Sequence, residues 1–103
     1  MIKIMLACCA GMSTSVLVSK MKEHCQKNNI EAEIWAISEQ DVKKEIEKCD
    51  VLLLGPQVRH LLPEIKVTAD SKNVPVAVID MMAYGTCNGK KVVSQAQELV
   101  QSK

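Results

Sequence analysis

Near the start of the chain, two adjacent cysteines separate an apolar run from a glycine and three hydroxyl residues. Cys8 and Cys9 follow residues 2–7, and Gly11 precedes three residues with hydroxyl side chains, Ser13, Thr14 and Ser15. This order is typical of a strand that ends in a thiol, then a short loop, then a helix over residues 16 to about 28. Because a helix N-terminus stabilises negative charge, it would favour a thiolate there and would also cradle a phosphoryl group on the sulfur. The pattern therefore favours a cysteine that carries phosphate.

The loop composition is richer than an ordinary strand-to-helix turn requires. Gly11 lets the backbone approach an anion closely, and the hydroxyls that follow it can cap the helix or donate hydrogen bonds to phosphoryl oxygens. A structural turn would account for the glycine and one capping hydroxyl. It would not account for a cysteine followed by three consecutive hydroxyl residues, so we favour a functional loop.

Composition narrows the class of protein. The net charge is +1, the basic residues are dispersed, and Trp35 and Tyr84 are the only aromatic residues. These features argue against a nucleic-acid surface and a base-stacking platform. No apolar run approaches the roughly 18–20 residues that span a bilayer, and no cleavable signal is evident. We expect a single globular domain over residues 1–103, cytosolic and without direct membrane insertion.

The cysteine count argues against a disulfide framework. Five cysteines form an odd set with no C-x-x-C spacing, so a thioredoxin-like redox couple and a zinc knuckle lose their main support. Cys25 and Cys49 continue the apolar stripes of their helices and are expected to be buried, whereas Cys87, in a Gly/Asn-rich loop, stays undecided. No metal or cofactor is expected, although adjacent Cys8 and Cys9 could bind a soft metal.

The elements that must position these residues follow from the alternation of apolar runs and amphipathic segments. Strands are predicted at residues 2–7, 32–37, 51–54 and 74–79, with helical stripes between and after them. Ser38 is placed to cap the second helix, Pro63 to restart the third, and residues 84–89 to form turns. The alternation predicts an α/β fold: a doubly wound three-layer sandwich whose four-stranded parallel sheet has the order 2-1-3-4, with helices on both faces.

In such folds, ligands bind beyond the carboxyl ends of the strands where the winding reverses. Cys8, at the end of the first strand, falls at this switch point, residues 55–57 would form the neighbouring wall, and Asp80 ends the fourth strand at the same edge. Gln57 could contact the loop or simply begin a helix. Asp80 would bring negative charge near a thiolate, so orienting loop amides or capping a turn suits it better. For Tyr84, partner contact and packing fit equally well.

Two alternatives to a phosphate carrier remain. Low-molecular-weight tyrosine phosphatases place a thiolate in a C-x5-R loop, where the arginine holds the phosphoryl oxygens in the transition state. Counting from Cys8 or Cys9, that position is Thr14 or Ser15, which counts against a phosphatase or an arsenate-reductase-like enzyme. The second alternative is a thiol module that binds a soft metal or senses redox state through the two cysteines.

Several segments resemble one known family. Residues 8–21, 50–57, 62–65, 78–80 and 84–85 are similar to the enzyme IIB component of the bacterial phosphoenolpyruvate-dependent sugar phosphotransferase system, in its lactose/cellobiose/chitobiose family. The resemblance covers nearly the whole chain, with several motifs in the right order and spacing. It implies a four-stranded parallel sheet flanked by helices, in agreement with the pattern of apolar runs.

The resemblance also implies a function. Cys8 would accept a phosphoryl group from a phosphohistidine of enzyme IIA and pass it to a sugar bound by membrane enzyme IIC, for example cellobiose, chitobiose or lactose. The family commonly has serine where this chain has Cys9, which leaves a second candidate thiol. Alignment with the family places the nucleophile three residues before Gly11, and so favours Cys8.

We accordingly expect backbone N–H groups and hydroxyls to hold the phosphoryl oxygens. The expected phosphate-binding residues are Cys9, Ala10, Gly11, Met12, Ser13, Thr14 and Ser15. Met12 is also a candidate partner contact on an apolar rim around Cys8. The chain is expected to be monomeric between brief encounters with its partners, and to reach the inner face of the membrane only through enzyme IIC.

Overall fold

A parallel sheet forms the centre of the molecule. The computed structural model describes residues 1–8 and 12–102, without the side chains of Met12 and Ser13. Within these residues the strands are β1 (Ile2–Cys8), β2 (Ala32–Ser38), β3 (Val51–Leu54) and β4 (Val76–Val78). All pair in parallel in the order β2-β1-β3-β4, which confirms the predicted order 2-1-3-4.

Helices cover both faces of this sheet. They are α1 (Met12–Lys27), α2 (Val42–Glu45), α3 (Leu62–Ser71), α4 (Met81–Gly85) and α5 (Gly89–Gln101). Short 3-10 turns flank α2 and precede α3, at Glu39–Asp41, Ile46–Lys48 and Pro56–Leu61. No helix within the described part of the chain is long and apolar enough to cross a bilayer.

The two inner strands contribute side chains to both hydrophobic layers. Along β1, Ile4 and Leu6 pack with residues of α1 and α5, whereas Met5 and Ala7 pack with residues of α2 and α3. This alternation follows from the period of two in a strand, and burial on both faces explains the continuous apolar runs. Cys25 lies in the first layer and Cys49 in the second, so the prediction that both are buried is confirmed.

Helix boundaries follow the predicted capping signals in two places. The Ser38 side chain accepts a hydrogen bond from the Gln40 backbone N–H, at 3.4 Å, at the start of the Glu39–Asp41 turn. Pro63 lies in the first turn of α3, where the missing N–H costs nothing because first-turn amides have no helical acceptor. The predicted third helix is therefore divided into a 3-10 turn and α3.

The fourth strand is shorter than the predicted 74–79. Asn73 has a φ of 58°, and the Val74 N–H donates to the Ala69 carbonyl at 2.9 Å, so Val74 closes the end of α3 instead of entering the sheet. Pro75 has no N–H to donate, but its carbonyl accepts from the Leu52 N–H at 3.0 Å. The strand therefore begins at Val76.

Two helical segments differ from the prediction near the expected site. The first helix begins at Met12, not near residue 16, so Thr14 and Ser15 belong to its first turn and not to a loop. Residues Met81–Gly85, of which 84 and 85 were predicted as turn, form the short helix α4. Cys87 follows α4 with a φ of 50°, the left-handed conformation that ends many helices.

Candidate functional site

Cys8 is the last residue of β1 and lies where the ends of β1, β2 and β3 meet. It pairs in register with Ser38, the last residue of β2, while Ala7 pairs with Leu54, the last residue of β3. The connections that leave β1 and β3 place their helices on opposite faces of the sheet, so this edge is the switch point that the topology predicted. The sulfur thus has a fixed place at the expected ligand-binding edge.

The Cys8 side chain is buried against the start of α1. Its Sγ lies 2.9 Å from the Thr14 hydroxyl oxygen, and Cys8 and Thr14 are only 6% and 2% exposed. First-turn amides of a helix have no helical acceptor, and this turn contains no acidic side chain. The positive end of the helix dipole therefore adjoins Cys8, and no acidic side chain of that first turn opposes it.

Tyr84 and Gln57 extend this contact towards the surface. The Tyr84 hydroxyl lies 3.3 Å from the Thr14 hydroxyl, and the Gln57 Nε2 amide donates to the Tyr84 oxygen at 3.2 Å. Four side chains from β1, α1, the Pro56–Leu61 turn and α4 are thereby joined in one hydrogen-bonded chain. Two of the three polar candidates near this edge, Gln57 and Tyr84, are thus brought to Cys8 through Thr14.

Asp80 acts as the cap of α4. Its Oδ2 accepts a hydrogen bond from the Ala83 N–H at 2.9 Å, which is the turn-capping arrangement considered for it above. Since α4 carries Tyr84, this cap supports the position of the tyrosine hydroxyl. Asp80 therefore contributes to the site through α4.

Gln95 also supports this region, although the sequence reasoning did not select it. Its Nε2 donates to the Val78 carbonyl at 2.9 Å, and its Oε1 accepts from the Asp80 N–H at 3.3 Å. One α5 side chain thus holds the segment between β4 and α4. The sequence does contain a signal for Gln95, because it is a polar residue within the apolar stripe of α5, three positions after Val92.

Gly55 stands closest to the thiol on the β3 side. Its N–H donates to the Ala7 carbonyl at 2.9 Å. A Cβ at this position would lie 3.2 Å from the Cys8 Cβ and 2.9 Å from the Gln57 Oε1. The absence of a side chain therefore lets the cysteine and the glutamine amide approach each other across the end of β3.

The other members of the predicted phosphate-binding set divide into two groups. Cys9, Ala10 and Gly11 lie outside the described residues. Met12 and Ser13 contribute backbone to the first turn of α1, and Ser15 is exposed in that turn. Among the described residues, no group of three His, Cys, Asp or Glu side chains could hold a metal ion.

An apolar rim with basic neighbours lies beside Tyr84. Met81 and Met82 of α4 are 59% and 75% exposed. Met81 also lines an open groove, together with Pro56, Gln57, Arg59, His60, Tyr84 and Gly85. Methionine side chains adapt to different partners, so such a surface suits repeated, short-lived docking.

These features define a class: a doubly wound α/β protein with a thiol at the switch point, facing a helix N-terminus. Residues 3–95 match the family model described as "PTS system, Lactose/Cellobiose specific IIB subunit". The chain belongs to this lactose/cellobiose IIB family of the phosphotransferase system, which confirms the resemblance seen in the sequence. It is thus a IIB component of sugar uptake, a kind of protein that works with other components of that system.

Individual relatives agree with this assignment. The chain is 51% identical over 98 residues to an oligo-beta-mannoside-specific EIIB component of Bacillus subtilis, with 95% of each chain covered. It is 44% identical over 102 residues to a galactose-specific EIIB component of Lactococcus lactis, with 94% of each covered.

Solved structures give the same fold. A cellobiose-specific IIB component from Borrelia burgdorferi is 36% identical, with a TM-score of 0.83 over 99% of this chain and 94% of that one. A lactose-specific IIB domain from Streptococcus pneumoniae is 18% identical and has a TM-score of 0.81 over 97% and 95% of the two chains. At 18% identity, the similarity to the Streptococcus pneumoniae domain concerns the fold alone.

Proposed function

We propose that this chain is a phosphocysteine carrier in which Cys8 takes a phosphoryl group from a phosphohistidine of enzyme IIA and delivers it to a sugar bound by membrane enzyme IIC. The observation that carries the proposal is the position of Cys8, buried at the switch point and in contact with Thr14 in the first turn of α1. Anion stabilisation is strongest at such a helix N-terminus. The site therefore suits both a thiolate and a phosphorylated sulfur.

The two transfers balance as in-line displacements at phosphorus. In the first, the Cys8 thiolate forms an S–P bond while the N–P bond of the donor breaks, and the released imidazole takes a proton. In the second, a sugar hydroxyl attacks phosphorus, the S–P bond breaks, the thiolate returns and the hydroxyl proton passes to water. Both steps depend mainly on positioning and on neutralising the charge of the phosphoryl oxygens.

Residues 9–15 are proposed to hold those oxygens through backbone N–H groups and hydroxyls, with no metal or cofactor. Thr14 occupies the position at which a C-x5-R phosphatase has arginine, and the single arginine of the chain, Arg59, is in the Pro56–Leu61 turn. Without that clamp, hydrolysis of the phosphorylated cysteine loses an important source of transition-state stabilisation. A carrier benefits from this, because the phosphoryl group must survive until the acceptor arrives.

Enzyme IIA is proposed to dock on the rim beside Tyr84. Met81 and Met82 offer exposed apolar surface there, while Arg59 and His60 line the adjoining groove. This combination suits a partner whose surface around the phosphohistidine is apolar with an acidic margin. We propose a small, transient interface and a chain that is monomeric between encounters. The protein would then act in the cytoplasm and reach the membrane only through enzyme IIC.

The proposed substrate class is a β-linked disaccharide such as cellobiose, chitobiose or lactose. The relatives compared above are named for oligo-beta-mannoside, galactose, cellobiose and lactose. Since enzyme IIC holds the sugar, the IIB component needs only to reach the hydroxyl that is phosphorylated. The range of sugars among close relatives is consistent with this division of roles.

The test is intact-mass analysis after incubation with phosphoenolpyruvate, the general phosphotransferase proteins and an enzyme IIA of this family. Wild type, Cys8→Ser and Cys9→Ser are compared. We expect one added phosphoryl group in wild type and in Cys9→Ser, and none in Cys8→Ser. Cys9→Ser is the matched control, because it makes the same replacement of a thiol by a hydroxyl one residue away.

Two results would contradict the proposal. Normal labelling of Cys8→Ser would move the site to another residue. No added mass in any folded sample, with active donor proteins, would leave the phosphatase and thiol-module alternatives, which are then separated by aryl phosphate or arsenate turnover and by metal uptake.

A further inference from the structure

We propose that Gln57 and Tyr84 are positioning residues that turn the Thr14 hydroxyl proton towards the Cys8 sulfur and so stabilise the thiolate that accepts phosphate. This inference deepens the proposed function and rests on it for its biological meaning. Its physical basis is the chain of three contacts from Gln57 to Tyr84, Thr14 and Cys8, at 3.2, 3.3 and 2.9 Å. All four side chains have chemistry that allows one consistent direction of donation.

The direction of hydrogen-bond donation follows from the two residues at the ends of this series of contacts, Gln57 and Cys8. The Gln57 Nε2 amide can only donate, so the Tyr84 oxygen accepts from it. In the proposed orientation the tyrosine hydroxyl donates to the Thr14 oxygen, and the threonine hydroxyl donates to the sulfur. At the other end, a thiolate can only accept. Both ends therefore select the same orientation, and the donors point from the surface to the nucleophile.

Burial strengthens the contact between Thr14 and Cys8 more than the contact between Gln57 and Tyr84. Thr14 and Cys8 are almost fully buried, Tyr84 is partly buried, and Gln57 is exposed. A hydrogen bond to a charged acceptor is stronger away from water. The threonine hydroxyl alone could rotate to another acceptor, whereas a donor from Tyr84 occupies its oxygen and leaves its proton for the sulfur. This is why the outer residues matter although they do not contact Cys8.

The surrounding fold holds the outer residues in place. Asp80 caps the helix that carries Tyr84, and Gln95 fixes the segment before it. Gly55 leaves room for the Gln57 amide at the end of β3. Three separate supports thus converge on Gln57 and Tyr84.

The experiment measures alkylation of Cys8 by iodoacetamide across a range of pH, with the modified residue identified by peptide mass spectrometry. Wild type is compared with Tyr84→Phe and Gln57→Met, which remove the hydroxyl and the amide while keeping side-chain size. The matched control is Gln26→Met, an exposed glutamine near the other end of α1. Thermal unfolding of each variant verifies that the fold is intact.

Loss of one hydrogen bond of about 1 kcal/mol reduces the thiolate fraction about fivefold at any pH where most of the thiol is protonated. The thiolate that remains is more nucleophilic, which recovers about a factor of two. We therefore expect Cys8 in Tyr84→Phe and Gln57→Met to react about two to three times more slowly than wild type at the low end of the pH range, where most of the thiol is protonated. At high pH, where the thiol is fully ionised, the same variants should react about twice as fast. Gln26→Met should follow wild type throughout.

Such a crossover cannot arise from a change in access to the sulfur, which would alter the rate in the same sense at every pH. Profiles of Tyr84→Phe and Gln57→Met that coincide with wild type would overturn the inference, as would a uniform change without crossover. The alkylation readout needs no phosphoryl donor. A crossover in a protein that fails the labelling test would therefore reject the carrier function while keeping the positioning roles.

Discussion

At the scale of single residues, the cysteine acts within a set of close neighbours and not alone. Thr14 was expected among the phosphate-binding hydroxyls, and in the proposed arrangement its hydroxyl, 2.9 Å from the sulfur, is also the donor to the unphosphorylated thiolate. After phosphorylation the same hydroxyl can turn to a phosphoryl oxygen. Gly55 has no side chain, yet it determines how closely Gln57 and Cys8 approach.

Gly55→Ala should therefore separate activity from stability. The new methyl group would lie 3.2 Å from the Cys8 Cβ and 2.9 Å from the end of the flexible Gln57 side chain, which moves easily. The backbone at Gly55, with φ −62° and ψ 148°, accepts alanine without strain. We expect the rate of phosphoryl transfer from enzyme IIA to fall about tenfold, because small displacements of reacting groups are costly. The unfolding free energy should change by less than about 1 kcal/mol.

Rapid-quench labelling and urea unfolding measure the two quantities for Gly55→Ala. A transfer rate equal to that of wild type would show that the cysteine tolerates the displacement. Equal losses of rate and stability would instead assign Gly55 a purely structural role.

At the scale of elements, α5 positions the site through its contact with α1 and with the segment before α4. The close approach of α5 to α1 depends on Gly89, the first residue of α5. A Cβ there would lie 2.5 Å from the Lys20 carbonyl carbon and oxygen and 2.6 Å from the Met21 nitrogen. Since these are backbone atoms, the two helices cannot both keep their positions if Gly89 acquires a side chain.

Gly89→Ala should destabilise the protein by about 1–3 kcal/mol or more. This is the usual cost of forcing a methyl group into a closely packed contact. Gly85→Ala is the matched control, because nothing lies within 4 Å of its Cβ position and alanine is a better helix former. Its unfolding free energy should equal that of wild type or exceed it slightly. Urea unfolding monitored by circular dichroism measures both variants, and similar stability for the two would contradict the close approach.

At the scale of the whole molecule, exposed apolar side chains are distributed unevenly. Met81 and Met82 are on α4, the helix that carries Tyr84, whereas Val67 is on α3. This placement provides a matched pair for testing the proposed docking rim, since Met82 and Val67 are 75% and 72% exposed.

Met82→Glu should lower the second-order rate of phosphoryl transfer from enzyme IIA about tenfold, because it replaces an apolar contact with a charge. The rate at saturating enzyme IIA should stay near that of wild type, since the substitution does not touch Cys8. Val67→Glu should have no effect on either rate. Rapid-quench assays over a range of enzyme IIA concentrations measure both the second-order rate and the rate at saturation. Equal rates for Met82→Glu and Val67→Glu would place docking elsewhere.

Stability of the molecule should also decrease at alkaline pH because of its buried thiols. Burial, with a smaller contribution from Asp50, raises the pKa of Cys49 from 9.0 to about 11, and burial also raises the pKa of Cys25. Above pH 9 the unfolded chain releases thiol protons that the folded chain keeps. The stabilisation is therefore complete below pH 9 and is lost as the pH rises towards 11.

Cys49→Ala tests this dependence by removing one titrating thiol and its hydrogen bond to the Ile46 carbonyl, at 3.4 Å. The variant should be less stable than wild type at pH 7, because a buried side chain becomes smaller. Its urea midpoint should fall less steeply between pH 9 and 11. Parallel pH profiles for wild type and variant, measured in the presence of a reductant, would contradict the assigned role of Cys49.

The sequence by itself determined the strands, the α/β class, the sheet order and the place of Cys8 at the switch point. These properties follow from local periodicity and from general rules of chain connection, because apolar spacing records which side of each element is buried. The bounds of β4 and of α1, and the existence of α4, were less accessible, since caps and left-handed residues decide them locally.

Only the tertiary structure decided how the polar residues near Cys8 are connected. Tyr84 is 70 residues from Thr14 and 27 from Gln57, and Gln95 reaches back to Val78 and Asp80 from another helix. Hydrogen-bond partners depend on distances and directions of a few tenths of an ångström, which the packing of helices on the sheet sets and the spacing of residue types does not record. The sequence could therefore select Cys8 as the proposed nucleophile, whereas only the fold shows which polar side chains are connected to it.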